Sequence, residues 1–121
     1  MPDSESPAET VEIRFTPEFK RNLRALAKKY RHIRASIEPV LQLLEQGETP
    51  GDQVPNIGYT IYKVRIKNPD AKRGKSGGYR MIYYIQLDTR IILITIYSKS
   101  EQSDVRINQI RQIIQEFEER Q

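Results

Sequence analysis

A run of alternating cations, Lys63, Arg65 and Lys67, is the feature of this sequence best suited to chemistry. In a β-strand, side chains two residues apart project from the same face, so these three charges share one face. No acidic residue lies between Tyr59 and Asn68 to offset their mutual repulsion. Such a row is typical of a surface that binds phosphate groups, although a solvated strand edge is the plainer alternative.

Basic residues continue beyond this strand and up to the start of the next one. Between residues 59 and 80 the sequence has seven basic residues and one acidic residue, whereas the whole chain has a net charge of only +4. The seven are Lys63, Arg65, Lys67, Lys72, Arg73, Lys75 and Arg80. Arg80 begins the following strand, and an arginine can hold a phosphate group with two parallel hydrogen bonds. This concentration of charge predicts a phosphate-binding face.

A further polar segment, residues 98–104, lies between the last predicted strand and the final helix. Ser98, Ser100 and Ser103 belong to a residue type that caps helices, and we expect them to begin the final helix. Lys99 lies at the end of the strand, where it can join the cationic face. The tyrosines around these segments have a spacing more typical of core residues than of residues that stack on bases.

The composition excludes several kinds of active site. The chain has no cysteine, which excludes disulfides, thiolate metal sites and a cysteine nucleophile. His32 is its single histidine, so a metal site with several histidine ligands is impossible and a Ser-His-Asp triad would have to use it. We therefore expect no metal and no cofactor. No apolar run approaches the ~20 residues of a membrane span, and the acidic residues 1–10 do not resemble a signal peptide, so we expect a cytoplasmic protein.

The length of 121 residues suits a single domain. Residues 1–10 contain two prolines, two serines and no large apolar side chain after Met1, which predicts a disordered tail. We expect residues 11–121 to form one domain. Its first residues, 11–15, alternate between apolar and charged types, as a half-buried strand does.

Two apolar stripes at helical spacing follow and predict a helical hairpin. Thr16 can cap the first helix, with Pro17 in its first turn. The stripes run through residues 19, 23, 26, 27 and 30, and then through residues 33, 37, 41 and 44. Pro39 lies within the second stripe, where it either occupies the first turn of a helix opened by Ser36 or kinks a longer helix. Gly47 is a suitable end.

The second half of the chain predicts three strands and a helix. Residues 47–58 contain two prolines and three glycines and are expected to form a loop. Strands are expected over residues 59–67, 79–87 and 90–98, and a final amphipathic helix over residues 102–119. The order is then β-α-α-β-β-β-α. It predicts an α+β fold in which helices pack on a small antiparallel sheet.

Taken in order, these segments resemble the RelE/HigB branch of the RelE/ParE superfamily of bacterial toxins. The resemblance rests on "YKVRIK", "KSGGYRMIYYI" and "TIYSKSEQSD", set between a helical hairpin and a final helix. It extends over about residues 11–119. These proteins are the toxins of type II toxin–antitoxin modules.

The resemblance implies a ribosome-dependent endoribonuclease that cleaves translated mRNA without a metal. In such enzymes the RNA 2′-OH attacks the adjacent phosphate while cations stabilise the charge that develops. The residues that the resemblance implies as catalytic are Lys63, Arg65 and Arg80, and we expect Lys99, from its position at the strand end, to act with them. The residues expected to bind RNA are Lys67, Lys72, Arg73, Lys75 and Tyr79.

The resemblance also implies partners, and it is incomplete at two positions. A cognate antitoxin is expected, in a toxin–antitoxin hetero-oligomer, together with the ribosome and its mRNA. RelE-like enzymes have an arginine where this chain has Ser100 and a tyrosine where it has Arg106. Two other functions therefore stay open: a ParE-like inhibitor of DNA gyrase on the same fold, and an RNA-binding relative without catalytic activity.

Overall fold

A five-stranded mixed sheet carries helices on both of its faces in the computed structural model, which describes residues 10–55, 57–71, 78–102 and 104–120. The predicted disordered tail thus falls, except for Thr10, outside the described residues. The elements in chain order are β1 (Glu12–Phe15), α1 (Pro17–Lys29), α2 (Ile33–Glu45), β2 (Asp52–Val54), β3 (Ile61–Ile66), β4 (Tyr79–Leu87), β5 (Arg90–Ser98) and α3 (Ile107–Glu119). The predicted α+β class is confirmed.

The strands lie in the order β1-β5-β4-β3-β2. Four of them, from β5 to β2, pair antiparallel, as expected for strands joined by short connections. β1 instead pairs parallel with β5, so that Ile13 lies opposite Ile91 and Phe15 opposite Leu93. The predicted antiparallel sheet is therefore confirmed for the other four strands, and this edge adds a parallel pair. Only a tight turn forces neighbouring strands to run in opposite directions, and β1 and β5 are not joined by one.

A short strand, β2, lies within the segment predicted to be a loop. Asp52 pairs with Lys63 and Gln53 pairs with Tyr62 at the edge of the sheet. Gly51, just before it, has a φ of +96°, and a Cβ there would collide with the backbone carbonyl of Lys63. Glycine therefore lets the chain approach β3 closely. Three residues between a glycine and a proline are too short to show a strand pattern in the sequence.

Each face of the sheet buries its own apolar cluster. The helical hairpin covers one face, where Phe19 and Leu26 of α1 and Ile33 of α2 are buried. The helix α3 covers the other face with Ile110 and Ile114. Alternation along the strands supplies both clusters, because successive side chains of a strand point to opposite faces. Because helices cover both faces of the sheet, β4 and β5 are buried on both faces.

The start of α1 follows the sequence closely. Thr16 is fully buried, and its Oγ1 accepts a hydrogen bond from the Phe19 backbone N–H at 3.0 Å. The same hydroxyl donates to the backbone carbonyl of Ile94 in β5 at 2.7 Å. One side chain thus caps the helix and ties it to the sheet.

The other helix boundaries differ from expectation. Pro39 lies inside α2, which begins at Ile33, so the longer-helix alternative is the correct one. The final helix begins at Ile107 rather than near residue 102, and no serine caps it. The segment before it is held by tertiary contacts of Glu101 and Asp104, which outweigh local capping. Within the described residues, no helix is long and apolar enough to cross a membrane.

Replacing Thr16 tests the tie between α1 and the sheet. Thr16→Val keeps the shape of the side chain but leaves the Phe19 N–H and the Ile94 carbonyl without this partner, so we expect a loss of about 2 kcal/mol in the free energy of unfolding. Thr16→Ser keeps the hydroxyl and loses one methyl group, which costs about 1 kcal/mol at most. Urea denaturation measures both variants. Equal losses would show that the hydroxyl contributes little.

Candidate functional site

The cations singled out in the sequence meet where three neighbouring strands of the sheet lie side by side. Lys63 and Arg65 project from β3 on the same face, and Arg65 lies directly opposite Arg80 of β4. Arg80 in turn lies opposite Tyr97 of β5. Lys99 follows the end of β5, where its backbone N–H donates to the carbonyl of Gly78 at 2.9 Å. The register of the strands therefore fixes where each charge lies.

These side chains line one open pocket, which we call the cationic pocket. It is lined by Asp52, Lys63, Arg65, Arg80, Lys99 and Asp104. The structure thus brings together the four residues that were predicted to be catalytic. With four cations and two carboxylates, the lining has an excess of two positive charges.

The cations lie at different depths in the pocket. Arg80 is buried, with 8% of its surface exposed, and its Nη1 approaches the carbonyl of Tyr79 at 3.4 Å. Lys63 and Lys99 are half-buried, each with 34% of its side chain exposed. Arg65 is exposed. A phosphate entering from solvent would therefore meet Arg65 and the two lysines at the rim and Arg80 at the floor.

The carboxylate of Asp104 occupies the space between the two lysines. Its Oδ1 is 2.9 Å from Lys99 Nζ and 3.6 Å from Lys63 Nζ, and it accepts a hydrogen bond from Tyr97 Oη at 3.0 Å. The hydrogen bonds from Lys99 and Tyr97, with the charge of Lys63, lower the pKa of Asp104 to about 2. The carboxylate is therefore ionised at neutral pH and pairs with the lysines.

Tyr97 supports this arrangement from the core. Its ring is buried in the cluster beneath α3, and burial, followed by its hydrogen bond to Asp104, raises its pKa to about 12. The hydroxyl consequently keeps its proton at neutral pH and acts as a donor. Val105, in the segment before α3, packs against the same apolar cluster as the Tyr97 ring.

Asp104 is the residue of this pocket that sequence reasoning missed. It lies in a segment interpreted only as a helix cap, and neither its spacing nor its type distinguishes it from other surface acids. The one available signal is its position five residues after Lys99, at a strand end already predicted to be cationic. Asp52 was also missed, because β2 was not predicted; it lies opposite Lys63 at the other rim.

The residues predicted to bind RNA divide into three groups. Lys67 is exposed just beyond β3 but does not line the cationic pocket. Lys72, Arg73 and Lys75 lie outside the described residues. Tyr79 is fully buried and packs edge-on against Tyr30, with ring centroids 5.8 Å apart. The prediction that Tyr79 contacts RNA was therefore wrong, since its ring belongs to the core beneath the helical hairpin.

The two positions that depart from the RelE pattern lie next to the pocket in sequence but do not line it. Ser100 is exposed, and its Oγ lies 3.0 Å from that of Ser98. Arg106 is exposed at the start of α3. Glu101, beside Ser100, accepts hydrogen bonds from Lys29 Nζ and Tyr30 Oη, which fastens this turn to α1.

The chemistry available to the pocket is that of fixed positive charge. Ammonium and guanidinium groups at different depths can hold a phosphodiester and stabilise additional negative charge on its oxygens. Among the described residues, no group of three or more His, Asp or Glu side chains is arranged to hold a metal ion.

Comparison with known families shows that the chain matches a family of toxins. The model of the family described as the ParE toxin of type II toxin–antitoxin systems, parDE, matches residues 13–103. This range is about three quarters of the chain and extends from β1 to the turn after β5. Every cation of the cationic pocket falls within it, and Asp104 is the residue just beyond its end.

The lowered pKa of Asp104 predicts a pH-dependent contribution to stability. Because the folded-state pKa of about 2 lies below the ordinary value of 3.8, the ion pairs stabilise the fold above about pH 4 and lose this effect as the pH falls towards 2. We expect Asp104→Asn to lower the free energy of unfolding by less than about 1 kcal/mol at pH 6, because the side chain is half exposed. The difference from wild type should shrink by pH 3.

Urea denaturation of both proteins at the two pH values measures this contribution. The control is Asp88→Asn, which removes a carboxylate from the β4–β5 turn that has no ion pair among the described residues. A difference for Asp104→Asn that stays constant from pH 6 to pH 3 would contradict the assigned ion pairs.

Proposed function

The chain belongs to the ParE toxin family of type II toxin–antitoxin systems, and we propose that within this family it acts as an endoribonuclease that cleaves mRNA on the ribosome. As a toxin of a type II system, it has a cognate antitoxin as its partner. The proposal concerns its target and its chemistry, for which this family has more than one solution.

The observation that carries the proposal is the convergence of Lys63, Arg65, Arg80 and Lys99 on one pocket. Arg65 and Arg80 are paired directly across two strands, although like charges in that position destabilise a sheet. A fold keeps such an arrangement at a cost to its stability, which fits a site that receives an anion. A protein that acts only by covering another protein's surface has no need of a cationic pocket with a buried arginine.

The pocket suits a transesterification in which the 2′-OH of the RNA attacks the adjacent phosphate of the same strand. The 2′-oxygen forms a bond to the adjacent phosphorus, and the bond from phosphorus to the 5′-oxygen breaks, which leaves a 2′,3′-cyclic phosphate and a 5′-hydroxyl. Arg80 at the floor and Arg65 at the rim are placed to bind the non-bridging oxygens as their charge increases. The half-buried lysines are suited to proton transfer: one, in its neutral amine form, accepts the 2′-OH proton, and the other, as an ammonium group, donates a proton to the leaving 5′-oxygen.

The requirement for the ribosome comes from the resemblance of the sequence motifs to RelE-like toxins. As lined by the described residues, the pocket is open to solvent rather than enclosed in a cleft that would align an RNA strand. A small toxin with this kind of site would gain the required orientation from a ribosome that already holds the mRNA, because orientation is a large part of catalysis.

Replacing Arg80 tests the assignment most directly. We expect Arg80→Ala to reduce mRNA cleavage about 100-fold or more, because it removes a donor that acts on the developing charge. Arg80→Lys should retain part of the activity, since it keeps the charge and loses the two-pronged geometry. Cleavage is measured in a reconstituted translation reaction and mapped by primer extension.

The matched control is Arg14→Ala, which removes an arginine from β1 at the opposite edge of the sheet. It should cleave like the wild type. Because Arg80 is buried, the midpoint of urea denaturation must first show that Arg80→Ala is folded. A folded Arg80→Ala protein that cleaves at the wild-type rate would overturn the site assignment.

Two further reactions separate the alternatives. Omission of ribosomes should abolish cleavage; cleavage of free mRNA would keep the nuclease and remove the ribosome from the proposal. A supercoiling reaction with DNA gyrase should be unaffected by the toxin. Inhibition of gyrase together with intact mRNA would replace the proposed function with that of a gyrase inhibitor.

A further inference from the structure

One carboxylate oxygen of Asp104 receives three groups of the cationic pocket. Lys99 Nζ lies 2.9 Å, Tyr97 Oη 3.0 Å and Lys63 Nζ 3.6 Å from the same atom, Oδ1. Convergence of two ammonium groups and a hydroxyl on one oxygen is also the way proteins hold an oxygen of a bound phosphate. The acid thus lies where an oxygen of a substrate phosphate would be expected.

Asp104 is held by side-chain contacts rather than by secondary structure. It lies between the end of β5 and the start of α3, and 53% of its side chain is exposed. The next residue, Val105, is held separately, by packing against the apolar cluster beneath α3. The carboxylate can therefore leave the lysines by rotation of its own side chain, without loss of a helix or strand hydrogen bond.

We propose that Asp104 is an internal counter-ion which occupies the phosphate position of the empty pocket and which a substrate phosphate must displace. It thereby sets which anions bind. A single free phosphate gains few contacts beyond those that Asp104 already makes, so it competes poorly. A polynucleotide brings neighbouring phosphates to Arg65 and the rest of the rim and gains contacts that Asp104 does not offer. That RNA is the anion selected rests on the proposed function; the competition with phosphate does not.

Displacement, and not protonation, is the way to open the pocket. The pKa of Asp104 is held at about 2, so the carboxylate stays charged throughout the neutral range. A competing anion must therefore bind Lys63 and Lys99 more strongly than the Asp104 carboxylate does.

The plainer role for Asp104 is that of a brace, which holds Lys63 of β3 and Lys99 of β5 in place for the substrate. The two roles predict opposite effects of removing the carboxylate on the affinity for an anion. Removal of a counter-ion tightens the binding of an anion, whereas removal of a brace lets the lysines separate and weakens it. Asp104→Asn distinguishes them, because it removes the charge and keeps an oxygen that accepts from Tyr97 and Lys99.

The first measurement is the dissociation constant of inorganic phosphate, from NMR titration of the full chain at constant ionic strength. We expect Asp104→Asn to bind phosphate about fivefold more tightly than the wild type, the size expected for the loss of two partly exposed ion pairs. Asp104→Glu, which restores the charge, should return the affinity towards that of the wild type. The urea midpoints and the spread of the amide signals show whether each variant is folded.

The matched control is Asp52→Asn, which removes the other carboxylate of the same pocket. Asp52 is exposed and forms no ion pair among the described residues, so its removal changes only the general field, and we expect a change of less than about twofold. If Asp52→Asn and Asp104→Asn increase the affinity for phosphate equally, the effect comes from net charge alone and the proposal is overturned. Unchanged or weaker binding by folded Asp104→Asn would overturn it in favour of the brace.

Cleavage by the same proteins separates this inference from the proposed function. Asp104→Asn should still cleave mRNA on ribosomes, and added inorganic phosphate should inhibit it at a concentration about fivefold lower than for the wild type. If Asp104→Asn binds phosphate more tightly than the wild type but none of the proteins cleaves mRNA, the counter-ion role of Asp104 stands and the proposed nuclease activity is rejected. If the wild type cleaves mRNA but Asp104→Asn does not bind phosphate more tightly, the nuclease activity stands and the counter-ion role is rejected.

Discussion

The antiparallel pairing of β3 with β4 is the constraint on which the candidate site depends. Its register places Arg65 opposite Arg80, two like charges at the separation of a cross-strand pair. The pairing persists because the same strands bury apolar side chains on both faces of the sheet, such as Val64 under the helical hairpin and Ile82 under α3. Burial of those side chains offsets the repulsion, so the sheet can present concentrated positive charge on a rigid support.

The segment between β5 and α3 completes the site by adding negative charge. Glu101 turns towards α1 and pairs with Lys29, while Asp104 turns towards the cationic pocket and pairs with Lys99 and Lys63. These two acids explain why the final helix begins later than its sequence pattern suggests. The residues before it satisfy distant partners in preference to the first turn of a helix. Local capping contributes about 1 kcal/mol, which tertiary ion pairs and hydrogen bonds together can exceed.

Membership of a toxin family and the character of the pocket answer different questions about this protein. The family match fixes its place as the toxin of a type II toxin–antitoxin system. The pocket supports the proposed cleavage of RNA, since it contains the charge that a phosphodiester reaction needs and three of its four cations lie on strands. The residues that differ from the RelE pattern, Ser100 and Arg106, do not line this pocket. Their substitution therefore leaves the arrangement of the four cations intact.

The sequence by itself determined the three helices, the four longer strands and the cationic face. Alternation in residues 62–67 placed Lys63 and Arg65 on one side of a strand, and Thr16 with Pro17 marked the start of α1, because period and capping are local properties of a chain. Tertiary structure alone decided the parallel pairing of β1, the short strand β2, the burial of Tyr79 and the position of Asp104 between two lysines. Each of these depends on residues far apart in sequence that meet only when the sheet assembles. No local pattern records which partner a strand edge, a tyrosine ring or a carboxylate will find.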